Sequence, residues 1–294
     1  MKNCEVLANA PKWQYEVEPG FYLRGLNMRH PDLATIHFLH GVAFSGQVYW
    51  PLLKLLSADY GLFTQDFQGH GESDIGGEFF GWRGAMDQVQ TVMESQQVSD
   101  QNKPVFALGH SYGASLSLIM AAENPHLFSG LVLLDPMIFP QEMLDMFSSV
   151  DDENNPMTSR IVDRISGWSS REDAKAFFSS KKAFCDWRED ALECLLDFTL
   201  FEDPDSGAVS LLCPPKLETQ FVTSPPATIW NAIDTVKVPT IIIHSGNDES
   251  PIHQSCVKAA TLNTHIKAIE VKGRHNFMQE YPQETFELVA RCFE

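Results

Sequence analysis

Six short apolar runs, each bounded by turn residues, constrain the fold of this chain more than any other feature. They begin at Thr35 (TIHFLHG), Gly61 (GLFTQDF), Pro104 (PVFALGHS), Gly130 (GLVLLDP), Pro239 (PTIIIHSGND) and Ile266 (IKAIEVKGRHN). A run that is apolar at consecutive positions, rather than at alternate ones, is a strand covered on both faces, and the helix-length segments between runs supply the cover. The expected fold is therefore α/β, a doubly wound and mostly parallel sheet. Helices are expected over 46–56, 82–95, 114–123 and 286–293. Glycine-interrupted alternation over 15–26 predicts an antiparallel hairpin that adds an edge.

Between Pro136 and about Val236 the rhythm changes. No buried-strand run occurs there, and amphipathic helical stretches are separated by Asp, Ser, Gly and Pro. The segment reads as a helical insertion, a cap over 136–236, carried by a core built from 1–135 and 237–294. At 294 residues and 44% apolar content, the chain can bury one large core with such an insertion. The insertion holds about 18 acidic and about 8 basic residues, so roughly half of the net negative charge sits on this third of the chain.

Lys and Arg total 21 against 39 Asp and Glu, a net charge of -18. That field repels nucleic acid and anionic membranes, so neither is expected as a partner, and neutral substrates are favoured over multiply charged anions. Cys4, Cys185, Cys194, Cys213, Cys256 and Cys292 lack the close paired spacing of a zinc or iron–sulfur site, and free thiols are expected. No apolar run of signal-peptide length follows Met1, and charges or prolines interrupt every stretch long enough to cross a bilayer. A soluble, cytoplasmic protein is the expectation.

Gly109-His110-Ser111-Tyr112-Gly113 stands where the run VFAL ends and the helical stretch ASLSLIMAA begins. A serine on so tight a strand-to-helix turn needs small neighbours, which Gly109 and Gly113 supply, and the turn presents its hydroxyl above the sheet. That hydroxyl is a weak nucleophile at neutral pH and needs a base, itself held by an acceptor. His275, in KGRHNF after the last run and before the closing helix, is the expected base. Of the other histidines, His30, His126 and His265 read as loop or surface residues, His37 lies within a strand, and His253 is a lesser rival. His110 would point away from Ser111, to pack or hydrogen-bond beneath the turn.

For the acid, Asp248 in the turn GNDESP is the first choice, although an aspartate there can also serve as a helix cap. Asp135, which ends GLVLLD, competes with it, and Glu249 is a weaker rival. The loop at His40-Gly41-Val42 can aim the Val42 N–H at a carbonyl oxygen beside the N–H of Tyr112, making an oxyanion hole; otherwise it is an ordinary loop with a buried histidine. The loop DFQGHGES at 66–73 lacks the lysine and spacing of a phosphate loop and reads as scaffold.

In chain order, HGVAFSG at 40–46, DFQGHGES at 66–73, GHSYGA at 109–114, GNDESP at 246–251 and GRHNF at 273–277 resemble the α/β-hydrolase superfamily. The likeness is to its capped, esterase- and lipase-like branch and runs over almost the whole chain. It implies a nucleophile at Ser111, an acid at Asp248, a base at His275, an oxyanion hole from the N–H groups of Val42 and Tyr112, and a helical cap at 136–236. It also implies hydrolysis of a carboxylic ester through an acyl-enzyme, with no cofactor or metal. Cap aromatics not used in the cap's own core could line a pocket for an apolar acyl or aryl group. One departure is Gln68, where many relatives carry arginine, which puts only local anchoring of that loop in question.

The same residues are compatible with carbon–carbon, thioester or amide hydrolysis and with perhydrolysis. Serine at the elbow ranks down the epoxide and haloalkane chemistry of aspartate nucleophiles, and HGVAF in place of HGGPG ranks down prolyl-iminopeptidase-like activity. A reading of a different class is a small-molecule receptor that keeps these residues and signals through its cap.

Overall fold

The computed structural model describes residues 3–99, 103–149, 155–246 and 250–293. Eleven strands lie among them: β1 (Lys12–Glu18), β2 (Phe21–Met28), β3 (Thr35–Leu39), β4 (Gly61–Gln65), β5 (Val105–His110), β6 (Gly130–Leu134), β7 (Gly167–Trp168), β8 (Leu200–Glu202), β9 (Val209–Leu211), β10 (Thr240–Ser245) and β11 (Ile266–Val271). Eight of them form one sheet in the order β1-β2-β4-β3-β5-β6-β10-β11. β2 runs antiparallel to both β1 and β4, and every other pair in this sheet is parallel. All six apolar runs are strands of it, and the N-terminal hairpin is its edge.

The reason is visible on β6. Successive side chains leave a strand on opposite faces, so Leu131 and Leu133 join Ala107 in one hydrophobic cluster, while Val132 and Leu134 join Leu108 in the other. Both faces therefore need cover. It comes from the Gly46–Tyr49 turn running into the helix Trp50–Leu56, and from the helices Gly81–Ser95, Tyr112–Glu123 and Pro282–Phe293. The last starts earlier than the apolar pattern suggests, because Pro282 occupies its first position, where a missing N–H costs nothing.

The segment between β6 and β10 contains six helices among the described residues: Gln141–Ser149, Pro156–Val162, Arg171–Ser179, Glu189–Thr199, Pro215–Thr223 and Ile229–Thr235. It also holds a small antiparallel sheet, β7-β9-β8, which the sequence did not announce. Strands of two or three residues are too short for alternation to show. Several of the segment's few cations are paired, Arg171 and Lys175 with Glu193 at 2.9 and 2.6 Å, and Arg164 with Glu218 at 2.6 Å. The segment meets the core through aromatic contacts, Trp187 on Phe44 with ring centroids 5.7 Å apart and Phe221 on Tyr112 at 5.1 Å. Cys185, Cys194, Cys213, Cys256 and Cys292 are unbridged, the Cys4 side chain lying outside what is described, and no helix among the described residues is long and apolar enough to cross a membrane.

Candidate active site

Ser111 follows β5 directly, with φ 52° and ψ −114°, a conformation most side chains avoid. The turn tolerates it because its neighbours are glycines. A Cβ on Gly109 would stand 2.6 Å from the Ala114 nitrogen, and one on Gly113 would stand 2.4 Å from the Leu39 carbonyl oxygen. The Ser111 N–H donates to the Leu134 carbonyl at 2.9 Å, tying the turn to the end of the next strand. There Asp135 also adopts a positive φ, 42°, as the chain leaves β6.

These two strained strand ends converge on His275. Its Nε2 lies 3.1 Å from Ser111 Oγ, and its Nδ1 lies 2.6 Å from Asp135 Oδ2. A carboxylate only accepts, so Nδ1 carries the proton and Nε2 offers its lone pair to the serine hydroxyl. Asp135 is buried, and its Oδ1 accepts the Ser245 N–H at 2.8 Å. Burial alone would raise its carboxyl, but the hydrogen bond and charge of His275, with the Ser245 N–H, outweigh burial and hold it below the usual carboxylate range. The arrangement can take a proton from Ser111 onto an imidazole that an ionised carboxylate steadies.

A second buried line joins the loops around the serine. The Gly41 N–H donates to the Tyr49 hydroxyl at 3.1 Å, that hydroxyl donates to His110 Nδ1 at 2.6 Å, and His110 Nε2 donates to the His275 carbonyl at 2.9 Å. The direction is set by its ends, since an N–H must donate and a carbonyl must accept. Burial, with the nearby His275, lowers the His110 imidazole to about 3, so it stays neutral and the line keeps its direction.

The 40–46 loop is held separately. Ala43 N–H donates to His70 Nε2 at 3.0 Å, Gly46 N–H donates to Asp66 Oδ1 at 2.8 Å, and Phe67 N–H donates to His40 Nε2 at 3.0 Å. The 66–73 loop is thus a brace for the 40–46 loop. Gln68 anchors it from within, its side-chain amide donating to the carbonyls of Ile75 and Gly77 at 2.7 and 3.2 Å. The Val42 N–H makes no hydrogen bond among the described residues, and Tyr112 opens its helix, where a backbone N–H has no partner from within the helix.

The structure therefore brings together Ser111, His275 and Asp135, with Val42 in the turn after β3 and Tyr112 at the first position of the helix that follows the serine. Asp248, first choice for the acid, lies outside the described residues, as does Glu249. The carboxylate placed on His275 is that of Asp135, the competing acid. The sequence signal for it was its place at the end of the run GLVLLD; that this strand lies beside β5 is a matter of sheet order. Tyr49 and Ser245 carried no sequence signal, because a lone tyrosine in an apolar helix and a serine at a strand end look ordinary. His110 hydrogen-bonds to the His275 carbonyl, and the His253 ring hydrogen-bonds to the Ser245 carbonyl at 2.8 Å.

Residues 38–288 match the model of the alpha/beta hydrolase family. Human monoglyceride lipase is 34% identical over 110 residues, 36% of this chain and 35% of that protein. The uncharacterized protein YqjL of Bacillus subtilis is 35% identical over 104 residues, 35% of this chain and 40% of that protein. The matched stretch spans only about a third to two fifths of these relatives. Among solved structures, an E-2-(acetamidomethylene)succinate hydrolase superposes with a TM-score of 0.77 at 18% identity, covering 96% of this chain and 99% of that one. At that identity the likeness speaks for the fold.

Proposed function

Because the chain belongs to the alpha/beta hydrolase family, we propose that it is a serine hydrolase that cleaves a carboxylic ester bearing an apolar acyl or aryl group. Ser111 is the nucleophile, His275 the general base and then acid, and Asp135 the carboxylate that orients it. The observation that carries this reading is the continuous line from Ser111 Oγ through His275 to Asp135, at 3.1 and 2.6 Å. Ser111 attacks the ester carbonyl as His275 takes its proton, and His275 returns that proton to the leaving alkoxide. Water then attacks the acyl-enzyme by the same route in reverse. The N–H groups of Val42 and Tyr112 receive the oxyanion, a contribution worth about 3 to 4 kcal/mol where single donors have been removed elsewhere.

Residues 136–236 act as the cap. A cavity of about 570 Å³ lies where this segment meets Ala43 and Phe44, the residues directly after Val42, and Trp168, Phe177, Phe178 and Phe184 line it. Arg160, Asp163, Arg164 and Lys181 also stand at its wall, and the aromatic part of the lining supports an apolar acyl or aryl group. The relative named monoglyceride lipase supports ester chemistry.

The test is labelling by a fluorophosphonate probe together with a panel of p-nitrophenyl esters, thioesters and aryl amides, run beside Ser111→Ala. Labelling at Ser111 and ester turnover well above the variant are expected. Absence of both would leave a binding protein rather than an enzyme, and turnover confined to thioesters or amides would move the substrate class.

A further inference from the structure

Three groups that ester hydrolysis does not use converge near the ends of β10 and β11. His244 and Glu270 are partners in the parallel register of these strands, so their side chains leave the sheet on the same face. The helix Pro251–Leu262 packs on both strands and carries His253 in its first turn. One ligand atom from each of the three side chains lies within 4.8 Å of the others. The two imidazoles meet edge to face with centroids 4.4 Å apart, and His253 Nε2 stands 3.9 Å from Glu270 Oε2.

We propose that His244, His253 and Glu270 form a binding site for one divalent transition-metal ion of the zinc type. Two imidazoles and a carboxylate suit Zn²⁺ and its neighbours rather than Ca²⁺ or Mg²⁺, which take oxygen ligands. The His253 Nδ1–H donates to the Ser245 carbonyl at 2.8 Å, so Nε2 is the nitrogen that faces Glu270. A backbone carbonyl behind a ligating imidazole is the usual means of fixing its tautomer and aim. Ligands about 2.1 Å from zinc stand roughly 3.4 Å from one another, so atoms now within 4.8 Å of one another close on the ion with shifts of up to about 1.4 Å. Both histidines are buried and Glu270 is exposed. The exposed carboxylate gives the route from solvent, and water completes the coordination. Ser245 accepts from His253 and donates to Asp135, so the ion steadies the strand end that holds Asp135. The site does not depend on the role of Asp135 in hydrolysis.

The experiment titrates Zn²⁺ into the full chain, first stripped with a chelator, by calorimetry. Melting with and without Zn²⁺ is the second readout. One equivalent should bind, and it should raise Tm. Loss of an outer-shell partner alone weakens metal sites about 10- to 100-fold, so Glu270→Gln and His253→Gln should each weaken binding by at least about tenfold. Glu270→Gln alters an exposed side chain and keeps the test sound if the buried variant folds poorly. Zn²⁺ should bind Cys185→Ser and His275→Gln as it binds wild type. The absence of saturable binding, binding of equal strength in Glu270→Gln, or binding lost instead with Cys185→Ser or His275→Gln would each overturn the site.

Discussion

Asp135 follows β6 directly, and β6 lies beside β5, which Ser111 follows. Two adjacent strand ends therefore supply nucleophile and acid, and the base reaches both from the loop after β11. If this is the working arrangement, Asp135→Asn disturbs the imidazole's tautomer and lowers kcat by about 10⁴-fold. Asp248→Asn should stay within a few-fold of wild type. Steady-state kinetics on one p-nitrophenyl ester distinguishes the two, and the reverse ranking would return the role to Asp248. The Tyr49 hydroxyl links the 40–46 loop, the serine turn and the His275 backbone. Tyr49→Phe leaves the Gly41 N–H and His110 Nδ1 buried without that partner, a cost of about 1–3 kcal/mol. We expect kcat to fall about tenfold, equivalent to about 1.4 kcal/mol, with KM little changed. A lower Tm with unchanged kcat would make the tyrosine purely structural.

At the scale of elements, β3 holds a histidine that the packing does not satisfy. His37 is fully buried, stacked between Phe63 and Phe128 with centroids 5.8 and 5.9 Å away, and neither ring nitrogen has a hydrogen-bond partner among the described residues. Burial lowers its imidazole from 6.5 to about 3. Between those values the unfolded chain takes up a proton that the folded chain refuses. The stabilisation is complete above pH 6.5 and is lost as pH falls toward 3. By pH 5 the loss is about 2 kcal/mol from this residue. His37→Phe should remove that part of the difference in urea unfolding free energy between pH 7 and pH 5; an unchanged difference would place the acid sensitivity elsewhere. In the inserted segment, Glu218 is buried and its partner Arg164 is about a third exposed. Arg164→Ala strands that carboxylate and should cost about 2 kcal/mol, less than a fully buried pair would lose. Chemical denaturation measures it, and a loss below about 0.5 kcal/mol would class the pair with surface bridges.

For the whole molecule, a net charge of -18 sets how charged substrates arrive. The Debye length falls from about 30 Å at 0.01 M salt to about 8 Å at 0.15 M. KM for an ester that also carries a carboxylate should therefore drop as salt rises, while KM for its neutral analogue stays level. Equal salt response in both would show that the overall field does not reach the site. The strand runs were legible in the sequence because apolar patterning and turn residues act over a few positions. The serine turn was legible for the same local reason, since the glycines that permit its strain are its near neighbours. The facing of Ser111 and His275 could be inferred because both stand at strand ends. The acid could not be settled in that way: several acidic residues follow strands, and the one that reaches His275 depends on which strands are neighbours in the sheet. Asp135 and His275 are 140 residues apart, and Tyr49 and His110 are 61 apart. Contacts over such separations leave no periodicity in the chain. Sheet order and the packing of loops across it decided them, as they decided that His244, His253 and Glu270 share one face.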